Sequence, residues 1–503
     1  MQCSFLFAQS SKVDTAILGK IKNEAINNST AMDNLKAFCY LHGARMMWSP
    51  QYKKAADWLS SKLKEIGIPK VYFEDIEHKG KSWALKKYYF NLVEPYTLAV
   101  IGNPKEWTPA TNGLIRSEVV YLNAKTEADF EKYKGKLNGK IVFISDPTPL
   151  RAYMTPLFSR LSDDSLKSLS NVTIKSSAEK QKNKEDEDKN NKAYLEYFTF
   201  ITKKVEFCKN EGAALLIDAG FRYYGLNQIW ANVAAVPPKD IYDFLTKYAG
   251  NPDIPESLPQ ITISMEQYNT ILGILEKGGT AVMEAQIDVE KNGLENGFNV
   301  IAEIPGTDLK DEIVMLGAHL DSYPFANGAA DNGASVIACV EAIKIFKTLD
   351  LRPRRTVRIC LWGGEEEEYL GSLYHIKKHF TEGKEKCYAY FNMDYGVGRF
   401  RGIYAQENQG AAELFRDWMR IINDSKFQTA CLSIVKNSDH EVFHEAGLPG
   451  FQFIQDQLDY WRIYHTNADF VDRIPKDDLI NDAFYMTAFA WFAANKEGEF
   501  PAN

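Results

Sequence analysis

What this chain of 503 residues lacks narrows it first. Its seven cysteines, at 3, 39, 208, 339, 360, 387 and 431, form no CxxC pair and keep no regular spacing. That excludes a disulfide framework. Cys339, Cys360 and Cys387 fall in apolar runs and are expected as small buried hydrophobes. No apolar stretch approaches the length of a transmembrane helix, so no membrane span is expected. Basic residues are not in excess: 59 Lys and Arg stand against 67 Asp and Glu, a net charge of −8. A mildly acidic chain argues against nucleic acid as a main partner. No internal repeat is found. The start, MQCSFLFAQSS, lacks a basic n-region and a full apolar h-region, so residues 1–18 read as a tail with at most a signal remnant.

What is present begins with length, which favours two or three domains. Residues 19–109 open with two helices over 31–66, the second marked by Ser49-Pro50, by Ala55, Ala56, Leu59 and Leu63, and by Gly67 at its end. Strand-like VYFEDI and KKYYFNLV follow. Pro104 and TPATNG suggest a boundary near 110. From 110 to 285 short strands (EVVYL, KIVFI, AALLID) alternate with loops. Within them, 163–193 is too polar to pack and reads as a mobile loop or a solvated helix. From 286 to 503 strands alternate with helices, ending in DDLINDAFYMTAFAWFAAN. That rhythm predicts an α/β fold with a mostly parallel sheet flanked by helices.

The chemistry concentrates in GAHLDSYPFANGAADNGAS and TVRICLWGGEEEEYLGS. His319 and Asp321 end one apolar run, Asp331 precedes a helix-like stretch, and Glu365 and Glu366 follow a second β-rich run. Asp394 ends CYAYFNMD, and His465 lies in WRIYHTNAD. Each has a plain alternative: a structural HxD, a solvated acidic helix start, a turn cap, a hydrogen-bonded core histidine. Joint placement at strand ends, where open α/β sheets bind ligands, favours a site. So many buried ionisable groups need a counter-charge, and imidazole with carboxylates suits zinc. His42, His78, His375, His379 and His444 read as structural, and His440 stays open.

Six ordered pieces, GAHLDS, AADNGAS, WGGEEEEYLGS, FNMDYGVG, SDHEVFHEAGLPG and YHTNAD, resemble the co-catalytic two-zinc exopeptidases. That family includes bacterial secreted aminopeptidases, carboxypeptidase Q and glutamate carboxypeptidase II. The resemblance spans about 290–485. The 110–285 segment looks like the protease-associated domain that many members insert. On this basis two Zn2+ ions are expected, with His319 and Asp394 on one, Glu366 and His465 on the other, and Asp331 bridging. Glu365 would be the general base and Tyr464 the oxyanion donor. Asp321 and Asp469 would orient His319 and His465. The peptide after the bridging aspartate would be cis.

The implied activity is an aminopeptidase acting on peptides with a free amino terminus. A dipeptidase of carboxypeptidase Q type is the alternative, since LRPRRTVRICLWGGEE is similar to that branch. A receptor-like relative without zinc would have lost ligands, and a one-zinc glutaminyl cyclase would not need all five. Family habit implies export to the periplasm or medium and is compatible with a homodimer. Sequons at Asn27, Asn28, Asn171 and Asn423 matter only in a eukaryotic secretory pathway.

Overall fold

The computed structural model describes residues 4–149, 154, 156–228, 231–240 and 250–501. Two eight-stranded sheets organise it. The first runs in the order Lys70–Lys81, Leu294–Ile304, Arg355–Trp362, Leu309–His319, Lys386–Asn392, Gly450–Gln455, Phe400–Tyr404, Thr429–Cys431. Its four central strands are mutually parallel, and its margins are antiparallel except for the last pair. This is the mostly parallel mixed sheet expected. Arg355–Trp362 is buried at every position and Leu309–His319 through its last seven residues. Strands covered on both faces are mostly apolar, and the arginines buried here are paired, Arg355 with Glu312 and Arg358 with Glu303 and Glu385.

Helices cover the sheet on both faces. Ala334–Thr348 and the C-terminal helix Lys476–Asn495 pack side by side on the sheet and against each other. The helix Pro50–Ile66 begins where the Ser49 side chain accepts from the Tyr52 N–H and stops at Gly67, which takes φ +85°. Its predicted face, Ala55, Ala56, Leu59 and Leu63, is wholly buried. Parallel register sets His319 opposite Trp362 and Gly317 opposite Asn392. The residues just beyond these strands therefore emerge along one edge, where sites of open sheets assemble.

The second sheet runs Leu98–Ala99, Ala84–Glu94, Val282–Glu290, Ile115–Tyr121, Ile141–Phe143, Leu215–Ala219, Gln260–Ile263, Gly102–Pro104, and has its own apolar core. Here the structure corrects the boundary expected near 110: three strands of this sheet precede it. The turn signals at 104–113 mark a bend inside the sheet. The chain passes between sheets on neighbouring antiparallel pairs, Lys70–Lys81 with Leu294–Ile304 and Ala84–Glu94 with Val282–Glu290.

Of the two readings for 163–193, the solvated helix holds over most of its length. Asp163–Ser170 is helical, and Ser177–Asn210 forms a long helix whose charged first half is exposed. Ser176 and Glu179 close its start as a capping box. Its last turns bury Thr202, Val205 and Cys208 against the second unit. At the N-terminus a helix, Ser4–Asn27, runs through most of the expected tail. All six described cysteines are buried and free. No helix among the described residues is long and apolar enough to cross a membrane.

Candidate metal centre

At the edge of the first sheet, five side chains close on one another. His319, the last residue of its strand, places Nε2 3.1 Å from Asp331 Oδ1 and 3.2 Å from Asp394 Oδ1. His465 places Nε2 3.1 Å from Asp331 Oδ2 and 3.1 Å from Glu366 Oε2. The two oxygens of Asp331 thus face two different imidazoles. Glu365 falls on the His319 side: ligand atoms of His319, Glu365 and Asp394 lie within 4.8 Å of one another. A second group, His319, Asp331 and Glu366, meets the same limit. The adjacent glutamates therefore turn to different parts of the centre.

The electrostatics are those of a carboxylate-rich site short of positive charge. Burial drives the Glu366 carboxyl up to about 7 against the pull of His465, and raises Glu365 and Asp394 also. Burial favours neutral imidazoles at 319 and 465, but the carboxylates around each overcome it and raise both. Glu366 Oε1 is buried with no hydrogen-bond partner. Imidazole nitrogens and carboxylate oxygens converging this closely suit a divalent cation.

The supports differ in part from those expected. The Asp331–Asn332 peptide is cis, as the family resemblance implied. Asp469 does not orient His465. Its carboxylate accepts the Ala330 and Asp331 N–H groups at 2.6 and 3.0 Å, and so fixes the backbone of Asp331. Asp321 orients His319 through its main chain, since His319 Nδ1 lies 3.1 Å from the Asp321 carbonyl and 3.8 Å from its carboxylate. That carboxylate instead accepts the Glu365 and Glu366 N–H groups at 3.4 and 3.1 Å. Tyr464 stacks on Tyr460 and lies beside the His465 ring. Tyr460, which the sequence did not single out, is buried among the charges of Asp331, Asp394, Glu366 and Glu365.

Arg45 was also missed. Fully buried, it donates to the carbonyls of Leu320, Gly43, Asn327 and Gly328 and so clamps the loop before Asp331. A lone arginine between apolar residues carries no sequence signal for such a role. The glutamate loop is cinched by Asn299, which accepts from the Gly363 N–H and donates to the Gly371 carbonyl, both at 3.0 Å. A Cβ at Gly371 would collide with Asn299 Oδ1 and lie 2.6 Å from the Gly363 carbonyl. Gly371→Ala is therefore expected to destabilise by about 1–3 kcal/mol through overpacking, and to lower turnover by displacing Glu365. Thermal unfolding with rate measurement checks this; a variant equal to the parent in both would show that the loop tolerates the methyl.

A second cluster bears on two histidines read as structural. Glu74 lies 2.8 Å from His375 Nδ1 and 2.6 Å from His379 Nε2, a grouping of metal-ligating type. Arg358 decides against a metal. Its Nη1 donates to His375 Nε2 at 3.2 Å, so Nε2 accepts and Nδ1 carries the proton that Glu74 receives. Burial holds His375 down at about 4, consistent with that neutral ring. His379 sits between Glu74 and Glu385 as their counter-charge. The cluster is a buried ion network.

With this geometry in place, comparison with known proteins gives the following. Residues 299–490 match the profile of Peptidase family M28. Over 461 residues, 91% of this chain and 83% of the relative, it is 22% identical to carboxypeptidase Q of Xenopus laevis. Mammalian proteins of that name match over about half their length or less, 44–51%. Among solved structures, a peptidase M28 precursor from Shewanella amazonensis superposes with a TM-score of 0.68 at 22% identity, covering 98% of this chain and 99% of that one. A zinc aminopeptidase from Bacillus subtilis does so with 0.56 at 18%, covering 93% and 95%. The resemblance read from the six motifs is borne out, and so is the fold.

Proposed function

We propose that this chain, whose residues 299–490 match the M28 peptidases, is a zinc-dependent exopeptidase acting at a free amino terminus. The observation that carries this is Asp331, whose two carboxylate oxygens each stand 3.1 Å from a different histidine. One ion would be held by His319 and Asp394, the other by His465 and Glu366, with Asp331 shared. Bound zinc supplies Lewis acidity, polarising a scissile carbonyl and acidifying water near neutral pH. Glu365, beside His319 and Asp394 yet spare once the five ligands are assigned, accepts the proton of the attacking water and returns it to the leaving amine. Tyr464 and Tyr460 supply phenols beside the centre, either of which can donate to a developing oxyanion. Asp321 holds the two glutamates in register through their N–H groups.

The second reading is a dipeptidase, favoured by the match to a carboxypeptidase Q over 91% of the chain. A substrate panel separates the two. Aminoacyl-nitroanilides should be cleaved, N-blocked peptides should not, and chelator should abolish turnover until zinc is returned. Cleavage of dipeptides alone would select the dipeptidase reading. Turnover of N-blocked peptides at the same rate, or indifference to chelator, would end the exopeptidase proposal. Export, which family habit implies, is tested by fractionation, and a homodimer, with which that habit is compatible, by sedimentation.

A further inference from the structure

The second unit docks directly on the segment that carries Tyr464 and His465. The Asn227 N–H donates to Asn467 Oδ1 at 3.0 Å, Asn467 Nδ2 donates to the Gly225 carbonyl at 3.2 Å, and Gln228 bridges Thr466. Arg222 of the same loop lies over the Tyr464 ring. Beside this loop, just past the edge strand Gly102–Pro104, stands Glu106. Its backbone is fixed: Glu106 bridges Ala231, and its carbonyl accepts the Asn232 N–H at 2.9 Å. Only 4% of the residue is exposed.

The charged groups that act on its carboxyl are Glu366, His465 and Asp321, all in or against the metal centre. Lys105, its neighbour in sequence, is turned away and paired with Asp218. Among the described residues no hydrogen bond or ion pair reaches the Glu106 carboxyl. Two divalent ions would balance the four carboxylates Asp331, Glu365, Glu366 and Asp394. Asp321 is satisfied by two N–H groups and by Glu367. Burial, with Glu366 beside it, pushes the Glu106 carboxyl well above the usual carboxylate range, so it ionises only when a cation reaches it, and among the described residues no cation does.

We propose that Glu106 anchors the α-ammonium group of the substrate, so that the second unit supplies part of the specificity site. The proposal rests on the exopeptidase reading and sharpens it. A buried carboxylate at this end of the centre attracts a free amino terminus and repels a free carboxylate. An N-blocked residue would leave Glu106 without its partner, a larger loss than a missing contact.

The test is calorimetric binding of two probes to zinc-loaded protein: a leucine-type aminophosphonate and its des-amino counterpart. The parent should prefer the amino form about ten- to hundredfold, the range of a charge-assisted hydrogen bond. In Glu106→Gln that preference should collapse towards unity, with zinc content and affinity for the des-amino probe near parental. Retained preference in the variant overturns the proposal, and so does loss of zinc, which would assign Glu106 to metal binding. Should Glu106→Gln fail to fold, Glu106→Asp draws the charge back from the site. It should cut the preference, and a preference equal to the parent's overturns the proposal. Failure of the underlying reading looks different: the parent itself would cleave no free-terminus substrate.

Discussion

Glu365→Gln should bind near-normal zinc and still bind substrate, yet turn over at least about a hundredfold more slowly, the lower range for loss of a general base. The substitution keeps size and shape and removes only the group that accepts the proton. Glu366→Gln should part from it. Glu366 Oε2 stands 3.1 Å from His465 Nε2, and a neutral amide there weakens the metal held by that pair. Zinc content should fall together with rate. The distinction follows from the loop: the N–H groups of both glutamates point to Asp321, while their side chains join different groups of the centre. Zinc stoichiometry and single-turnover rate, measured on both variants, decide it. If Glu365→Gln lost zinc while Glu366→Gln kept it, the roles would be exchanged. If neither lost activity, the exopeptidase proposal would fall.

Asp331→Ala should have a still broader effect. Asp394 pairs with His319 and Glu366 with His465, but Asp331 serves His319 through Oδ1 and His465 through Oδ2. Its removal should drop zinc to less than one ion per chain. The rate should fall roughly a thousandfold or more, since Lewis-acid stabilisation is worth several kcal/mol and each 1.36 kcal/mol is tenfold. The protein should still fold, because Asp469 takes its two hydrogen bonds from the main chain of 330 and 331. Elemental analysis beside thermal unfolding checks this. Two zincs retained in Asp331→Ala would remove the bridging role.

Much of this was legible in one sequence for a definite reason. Apolar runs of strand length ending in His319, Trp362 and Asn392 report burial on both faces, and chemistry at their ends reports the edge where parallel strands open a site. Adjacent glutamates after two glycines, with Gly371 six residues on, also report local backbone geometry, since Gly364 takes φ +74° and Gly371 has no room for a methyl. Such features are written into contiguous residues, so spacing and side-chain type suffice.

What the tertiary structure alone decided lies across chain separations that spacing does not encode. Asp469 was given the right neighbourhood and the wrong partner, because which N–H groups a carboxylate meets depends on how the loop at 330 returns to it. His375 and His379 read as ordinary helix residues, although Glu74, about three hundred residues earlier, makes them part of an ion network. Arg358 then fixes the tautomer that excludes a metal. Glu106 sits in a stretch whose local signals are all of turns, and only the docking of residues 225–228 on Thr466 and Asn467 brings it beside His465. The break expected near residue 110 failed for the same reason: pairing of Ala84–Glu94 with Val282–Glu290 outweighs any local composition change. Sequence determined the strand ends and the ligand types they carry. Long-range packing decided which charge faces which, because buried charges take their partners from whatever element folding places against them.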